Sequence, residues 1–367
     1  MALRHALLSG LAAVALLGSA AMAQAPAQNM AQTSAQKGPV ETPPGAPVIP
    51  YVDPAKAYLL AHMTSEKYGV MYYSVSVDGL HWRRLNGGKP TISPDAYHGH
   101  PSIARMPDGL YILVGNNSDS DRLIRFWSSR DLITWTPYGT YEPDLSQVVG
   151  HPNPLPLLGA PKLFYDKPSG KFLLTWHTPN VPHVVEDPER LWASQRTLYV
   201  LSSDLKTFEG PPKLLFDWDI ATIDTFITPG DKGEGYCAVV KDERYPSYNW
   251  TSGKTVRVSC APSLLGPYPM PGPPISPNFR EAPTLIRSPS GKDWLMYYEQ
   301  YAGQSYGVSK APRLQGPWYQ LQGNSGVERW NRFHMPAGTR HGSMIEITRK
   351  EYDAIVAAFP EGPAAAK

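Results

Sequence analysis

The sequence predicts an all-β chain folded as a five-bladed β-propeller, closed by its C-terminal strand joining the N-terminal blade. Three observations predict it. A hairpin of two β-prone runs around a Gly-containing turn is written four times, at 101–103 to 110–114, 161–165 to 171–176, 225–228 to 235–240 and 280–286 to 294–298. A second phrase recurs five times and ends on an aromatic, at Trp82, Trp135, Phe208, Tyr268 and Trp318, with the spacing of four-stranded blades carrying insertions. The last is an orphan strand at 340–347, matched by a first repeat whose run at 57–62 reads as a middle strand and lacks an inner one. Placing the orphan inside that first blade closes the ring and removes two open sheet edges.

In chain order, residues 1–23 read as a signal peptide: Arg4 comes early, an apolar run follows, and Ala21-Met22-Ala23 offers a small-residue cleavage site. The run is too short to span a bilayer, and no Cys near the cleavage site could take a lipid. Residues 24–47, rich in Ala, Gln and Pro, read as a disordered leader. The propeller occupies 48–359 as the catalytic domain, and 360–367 form a tail. A periplasmic or secreted protein is therefore expected. Net charge is +2, too small to argue for nucleic acid or a membrane surface. The 21 Tyr and 10 Trp first mean sheet packing, and secondly a pocket of flat apolar faces that suits sugar rings.

Cys237 and Cys260 are the only cysteines. If the strands holding them pair antiparallel, the two fall opposite each other, and an oxidising compartment allows a disulfide. Two free buried thiols are the other reading, and two are too few for a metal cluster.

In a propeller the inner strands line the central channel, so residues at one end of them converge on one site. Those strand starts are His98-Gly99-His100-Pro101, Gly159-Ala160-Pro161-Lys162, Ile223-Asp224-Thr225, Arg280-Glu281-Ala282-Pro283 and Arg340-His341-Gly342. Each carries an ionisable residue beside an apolar run. One such residue could be a strand-end charge facing water; five in register point to a shared site.

These starts, with the Ser-x-Asp-Leu-x-x-Trp phrases, resemble glycoside hydrolase family 43 and its five-bladed relatives, the arabinosidase and xylosidase group. The resemblance covers about residues 58–352. It implies an inverting glycosidase with an aspartate base, a second aspartate that tunes pKa, and a glutamate acid. Glu281 stands at the acid position, with Ala282 where the family has Gly. As an acid it must hold a proton near neutral pH, which burial or a neighbouring carboxylate would favour.

The other two positions depart from the family. His100 stands where the base aspartate belongs and Lys162 where the modulating aspartate belongs, while Gly159 replaces a frequent tryptophan. An inverting enzyme needs a carboxylate pair about 6.5–9.5 Å apart, so the mechanism does not carry over unchanged. His100 can serve as base, since imidazole titrates near neutrality, and a Lys162 ammonium nearby would keep it neutral. Asp224 is the other candidate base. A third reading moves the chemistry to a polysaccharide lyase acting on a uronate, with His100 or Lys162 abstracting the proton. The basic starts at His98, His100, Lys162 and Arg340 would suit an acidic sugar.

His177, His183, His334 and His341 also fall at or near proposed strand ends on the channel side; a lone histidine is more often a hydrogen-bonding residue of the scaffold. By the resemblance, His341 matches the family histidine beside a hydrated structural calcium; the reading requires no cofactor. The second strands supply His62, Asn116, Asn117, Trp176, His177, Lys241, Asp242 and Glu299 as candidate sugar contacts, or as strand-edge polar residues facing water. With His98 and Arg340 they form the expected substrate-binding set, and insertions at 179–196 and 244–254 form the expected rim. The partner is an oligo- or polysaccharide, with no nucleic acid and no membrane, and a monomer is expected. A non-catalytic sugar-binding propeller that kept the pocket and lost the base is the remaining alternative.

Overall fold

The computed structural model describes residues 51–181, 187–303, 305–321 and 333–361. The signal peptide, the leader, His183 and the last residues of the tail lie outside the described residues.

Five antiparallel sheets follow one another along the chain. The first blade holds β1 (Lys56–Thr64), β2 (Tyr72–Ser76) and β3 (Arg83–Arg84). The second holds β4 (Ser102–Arg105), β5 (Tyr111–Gly115), β6 (Ile124–Ser129) and β7 (Thr136–Tyr141). β8 (Gly159–Asp166), β9 (Lys171–Pro179), β10 (Gln195–Ser202) and β11 (Lys213–Leu214) form the third, with helix α1 (Pro188–Ala193) between β9 and β10. The fourth has three strands, β12 (Thr222–Pro229), β13 (Tyr236–Asp242) and β14 (Thr255–Ala261). The fifth holds β15 (Glu281–Arg287), β16 (Trp294–Gln300), β17 (Ser305–Ala311) and β18 (Tyr319–Leu321). β19 (Thr339–Thr348) then returns to the first blade and pairs with β1, Leu59 opposite Ile345, before helix α2 (Arg349–Ala358) ends the fold. The ring closes as the orphan strand predicts. β4, β8, β12, β15 and β19 neighbour one another in turn around the centre.

The recurring outer phrase is a turn with a physical purpose. The Asp78 carboxylate accepts the backbone N–H groups of Leu80 and His81, and Asp131 does the same for Ile133 and Thr134. Asp204 accepts from Lys206 and Thr207. In the third copy the serine that completes the turn is Ser202, whose hydroxyl accepts from Leu205 N–H. The aromatic that ends each phrase packs between blades. Trp82 sits edge-on to Tyr297 of the fifth blade, and the Trp135 indole donates to the Tyr73 hydroxyl of the first. Five apolar clusters of this kind fill the five seams. Cys237 and Cys260 lie opposite each other in the β13–β14 ladder and form a disulfide, which ties down the outermost described strand of the fourth blade.

Candidate active site

Three inner strands carry a bulge at their start and β19 a register slip, while β4 pairs regularly, and these irregularities set the depth of the functional side chains they carry. Two residues oppose one on the second strand at Ala160-Pro161, at Asp224-Thr225 and at Ala282-Pro283, and β19 slips its register against β1 at His341. Ala160, Asp224 and Ala282 accordingly have positive φ. A bulge re-aims side chains and ends regular pairing, which is why such features gather beside active sites. The ionisable residues of these four strands therefore do not sit at one level. Glu281 and Arg340 form the outer layer, Asp224 and His341 the next, and Lys162 lies two residues beyond the Asp224 level with Thr284 and Ser343. Ser102, Thr284 and Ser343 take the N–H groups of Leu163, Met344 and Ile103 across the seams.

Glu281 is the hub. Its Oε2 accepts from the Lys241 ammonium at 2.9 Å and its Oε1 lies 3.2 Å from His341 Nε2. Lys241 is held in turn by Glu243 at 2.5 Å, and Glu243 by Lys254, which reaches Glu189 of α1 at 3.2 Å. On the other side His341 N–H donates to Glu299 at 2.8 Å, and Glu299 pairs with Arg340. Burial pushes the Glu281 carboxyl up, yet Lys241 and His341 outweigh it and hold the group well below the usual range. The raised pKa expected of a resting acid is thus reversed by two cations that the sequence left on other blades. The proton is on His341 instead: burial would lower this imidazole, but Glu299 and Glu281 prevail and push it up to about 9.

Opposite stands His100, kept neutral because burial and then the neighbouring His341, Lys162 and His177 lower its pKa. The His100 and His341 ring centroids are 4.8 Å apart. His100 Nε2 meets the Tyr68 hydroxyl at 2.8 Å, and Nδ1 lies 3.8 Å from Asp119 Oδ1. Both Nδ1 and that oxygen are shielded from solvent without a hydrogen-bond partner. Burial raises the Asp119 carboxyl to about 6.

Some expected residues serve the scaffold. Trp176 is 1% exposed in the seam between the second and third blades, so it offers no face to a sugar. Asn116 ties Ser118 and Leu158 carbonyls together, and His98 lies over Gly69 against the Asn117 carbonyl. His62 is buried between Met63 O and Ser74 Oγ, and Asp242 is paired with Arg244 and Arg257. His334 bridges to His81 at the outside of the first blade, away from the channel. His177 fills the space over Gly159, where a Cβ would lie 1.9 Å from its Nε2, and accepts from Asp224 N–H. The residue that replaces the family's tryptophan is thus a glycine under a histidine. Lys241, Arg340 and His341 contact Glu281, and Glu299 lies opposite it in the β15–β16 ladder. Tyr68, Asp119 and Glu243 were not singled out from the sequence, and Glu189 only as part of the 179–196 insertion; all lie in or beside loops that follow second strands. The inner strands start on the face where second strands end, and this geometry was the signal available.

The expected calcium would lie at a three-residue cluster. Asp224, Glu281 and His341 each bring one donor atom within 4.8 Å of the others. Calcium takes six to eight oxygen ligands. Here the Asp224 carboxylate accepts Ala282 N–H and Glu281 is engaged by Lys241, so an ion held there would share these carboxylates with both donors.

A family model described as "Probable glycosyl hydrolase domain", of the glycoside hydrolase 43-related family, matches residues 53–353. Among solved structures, the chain resembles an exo-beta-1,3-galactanase from Phanerochaete chrysosporium at 13% identity, covering 64% of this chain and 53% of that one, TM-score 0.45. It resembles an alpha-L-arabinofuranosidase from Lactobacillus brevis at 14% identity, over 62% and 75% of the chains, TM-score 0.45. A xylan beta-1,4-xylosidase from Bacillus halodurans C-125 shows 18% identity over 61% and 41%, TM-score 0.42. At such distances nothing about substrate transfers. No curated protein matches the chain.

Proposed function

Because the chain belongs to the glycoside hydrolase 43-related family, we propose that it is an exported, exo-acting, inverting glycosidase that removes a terminal sugar from a plant or microbial polysaccharide. The observation that carries this reading is Glu281 bonded to the His341 imidazole, with the neutral His100 ring 4.8 Å from that imidazole.

In this mechanism His341 stores the proton and Glu281 Oε1, 3.2 Å away, passes it to the leaving oxygen. General-acid help of this kind is worth about 10²–10⁴-fold. Water attacks from the opposite side and gives its proton to the Tyr68 oxygen as the Tyr68 hydroxyl proton moves to His100 Nε2. Asp119 faces the imidazolium that forms, from the Nδ1 side. Asp224 is left as a positioning residue, since its carboxylate holds the Ala282 N–H beside Glu281.

The test is product analysis on a panel of plant and bacterial glycans, following new reducing ends and ultraviolet absorbance together. Reducing ends without absorbance support hydrolysis, with Glu281→Gln and His100→Ala both inactive. The Tyr68–His100 hydrogen bond favours a second reading, a lyase in which this pair abstracts a proton beside a uronate carboxylate. Rising absorbance from an unsaturated product would select it. Sugar affinity with neither product would leave a binding protein.

A further inference from the structure

The site divides the two oxygens of Glu281 between two cations. Oε2 accepts from the Lys241 ammonium, and Oε1 faces His341 Nε2. A lysine is a point charge on a flexible stem and does not choose between the oxygens of a carboxylate by its own geometry. Something else must place it.

The strand supplies that second anchor. Side chains alternate along β13 and its continuation, so Lys241 and Glu243 share one face, while Asp242 between them turns to the other and pairs with Arg244 and Arg257. Glu243 N–H donates to the Ala221 carbonyl, which extends the strand past its last ladder pair. Glu243 Oε1 then lies 2.5 Å from the Lys241 ammonium, and Oε2 lies 2.5 Å from that of Lys254. Lys254 arrives there because the 244–254 insertion closes on itself, its N–H donating to the Arg244 carbonyl at 2.8 Å. Glu243 is 3% exposed, so this carboxylate is committed to its two lysines and is not held in water. The Tyr301 ring stands 4.8 Å from the Lys241 ammonium as well.

We propose that Glu243 is a positioning residue for the acid: it anchors Lys241 on Glu281 Oε2 and so keeps Oε1 for the proton that His341 supplies. The inference rests on the reading of Glu281 as general acid, and adds to it a group that acts only through Lys241.

The experiment compares wild type with Glu243→Gln, which keeps the volume and removes the charge. Breaking a buried ion pair is destabilising, so Glu243→Gln with Lys254→Met, which removes the pair together, serves if the single variant does not fold. Turnover is measured on aryl pentosides, hexosides and hexuronides, each as the phenyl and the 2,4-dinitrophenyl glycoside. A phenolate leaving group needs the proton and a dinitrophenolate does not. The variant should lose about tenfold or more on the phenyl glycoside, part of the 10²–10⁴-fold that general-acid help is worth, and almost nothing on the dinitrophenyl one. Equal losses on both, or none on either, overturn the proposal and leave Glu243 to the scaffold. Nuclear magnetic resonance titration of His341 reads the same arrangement without substrate. Its pKa, about 9 in wild type, should fall by about half a unit or more in the variant as Lys241 spreads onto Oε1, and an unmoved value overturns the proposal. Wild type that hydrolyses no glycoside defeats the glycosidase reading and with it the role in acid catalysis; the titration still decides whether Glu243 places Lys241.

Discussion

Glu281→Gln tests the arrangement most directly, because it removes one charge and almost no volume. Glu281 and Glu299 together hold His341 at about 9 against an ordinary 6.5, despite burial. At about 1.4 kcal/mol per pH unit, that difference is worth roughly 3 kcal/mol of preference for the folded, protonated imidazole. The pKa is raised on folding, so this stability is fully present below about 6.5 and is lost as pH rises through about 9. With glutamine at 281, only Glu299 and the more distant Asp224 support the charge, and the His341 pKa should fall by about one unit or more. The assay is nuclear magnetic resonance titration of the His341 ring, with urea denaturation at pH 6 and pH 9. Wild type should lose stability between those values, and the variant should lose less. A His341 pKa that does not move would refute the claim that Glu281 shares its proton. Activity offers the second check, with a loss of about 10²-fold or more expected of the acid.

Three further outcomes follow from the same geometry. Gly159→Ala places a Cβ 1.9 Å from His177 Nε2, so the ring must move and release Asp224 N–H; a cost of about 1–3 kcal/mol is expected in denaturant melts, with turnover reduced as well. The Cys237–Cys260 bridge spans 23 residues of sequence, so replacing both cysteines by alanine should cost about 3 kcal/mol, read as a lower denaturation midpoint that reductant reproduces in wild type. Dialysis against EDTA should leave turnover and Tm unchanged, because Lys241 and Ala282 N–H already engage the Glu281 and Asp224 carboxylates; a loss that calcium restores would assign the Asp224, Glu281 and His341 cluster to a metal.

Much was legible in the chain because propeller blades are local objects. Each hairpin and each Ser-x-Asp turn is made by residues within a few positions of one another, so the repeats, the five blades and the closing β19 could be read from pattern alone. The strand starts also named Glu281, His100, Asp224, Lys162 and His341 as neighbours, since inner strands must converge on one channel. Tertiary structure decided what state those groups are in. Lys241 reaches Glu281 across 40 residues, His341 reaches it across 60, and Tyr68 reaches His100 across 32. A pKa depends on charges a few ångströms away and on burial, and neither is a function of spacing along the chain. The same holds for depth: the bulges at Ala160-Pro161, Asp224-Thr225 and Ala282-Pro283 place Lys162 below Glu281, although both sit beside an Ala-Pro pair in the sequence. The sequence by itself determined which residues meet, because topology is written in repeats. Only the folded ring decided which of them hold protons, because electrostatics is summed over space.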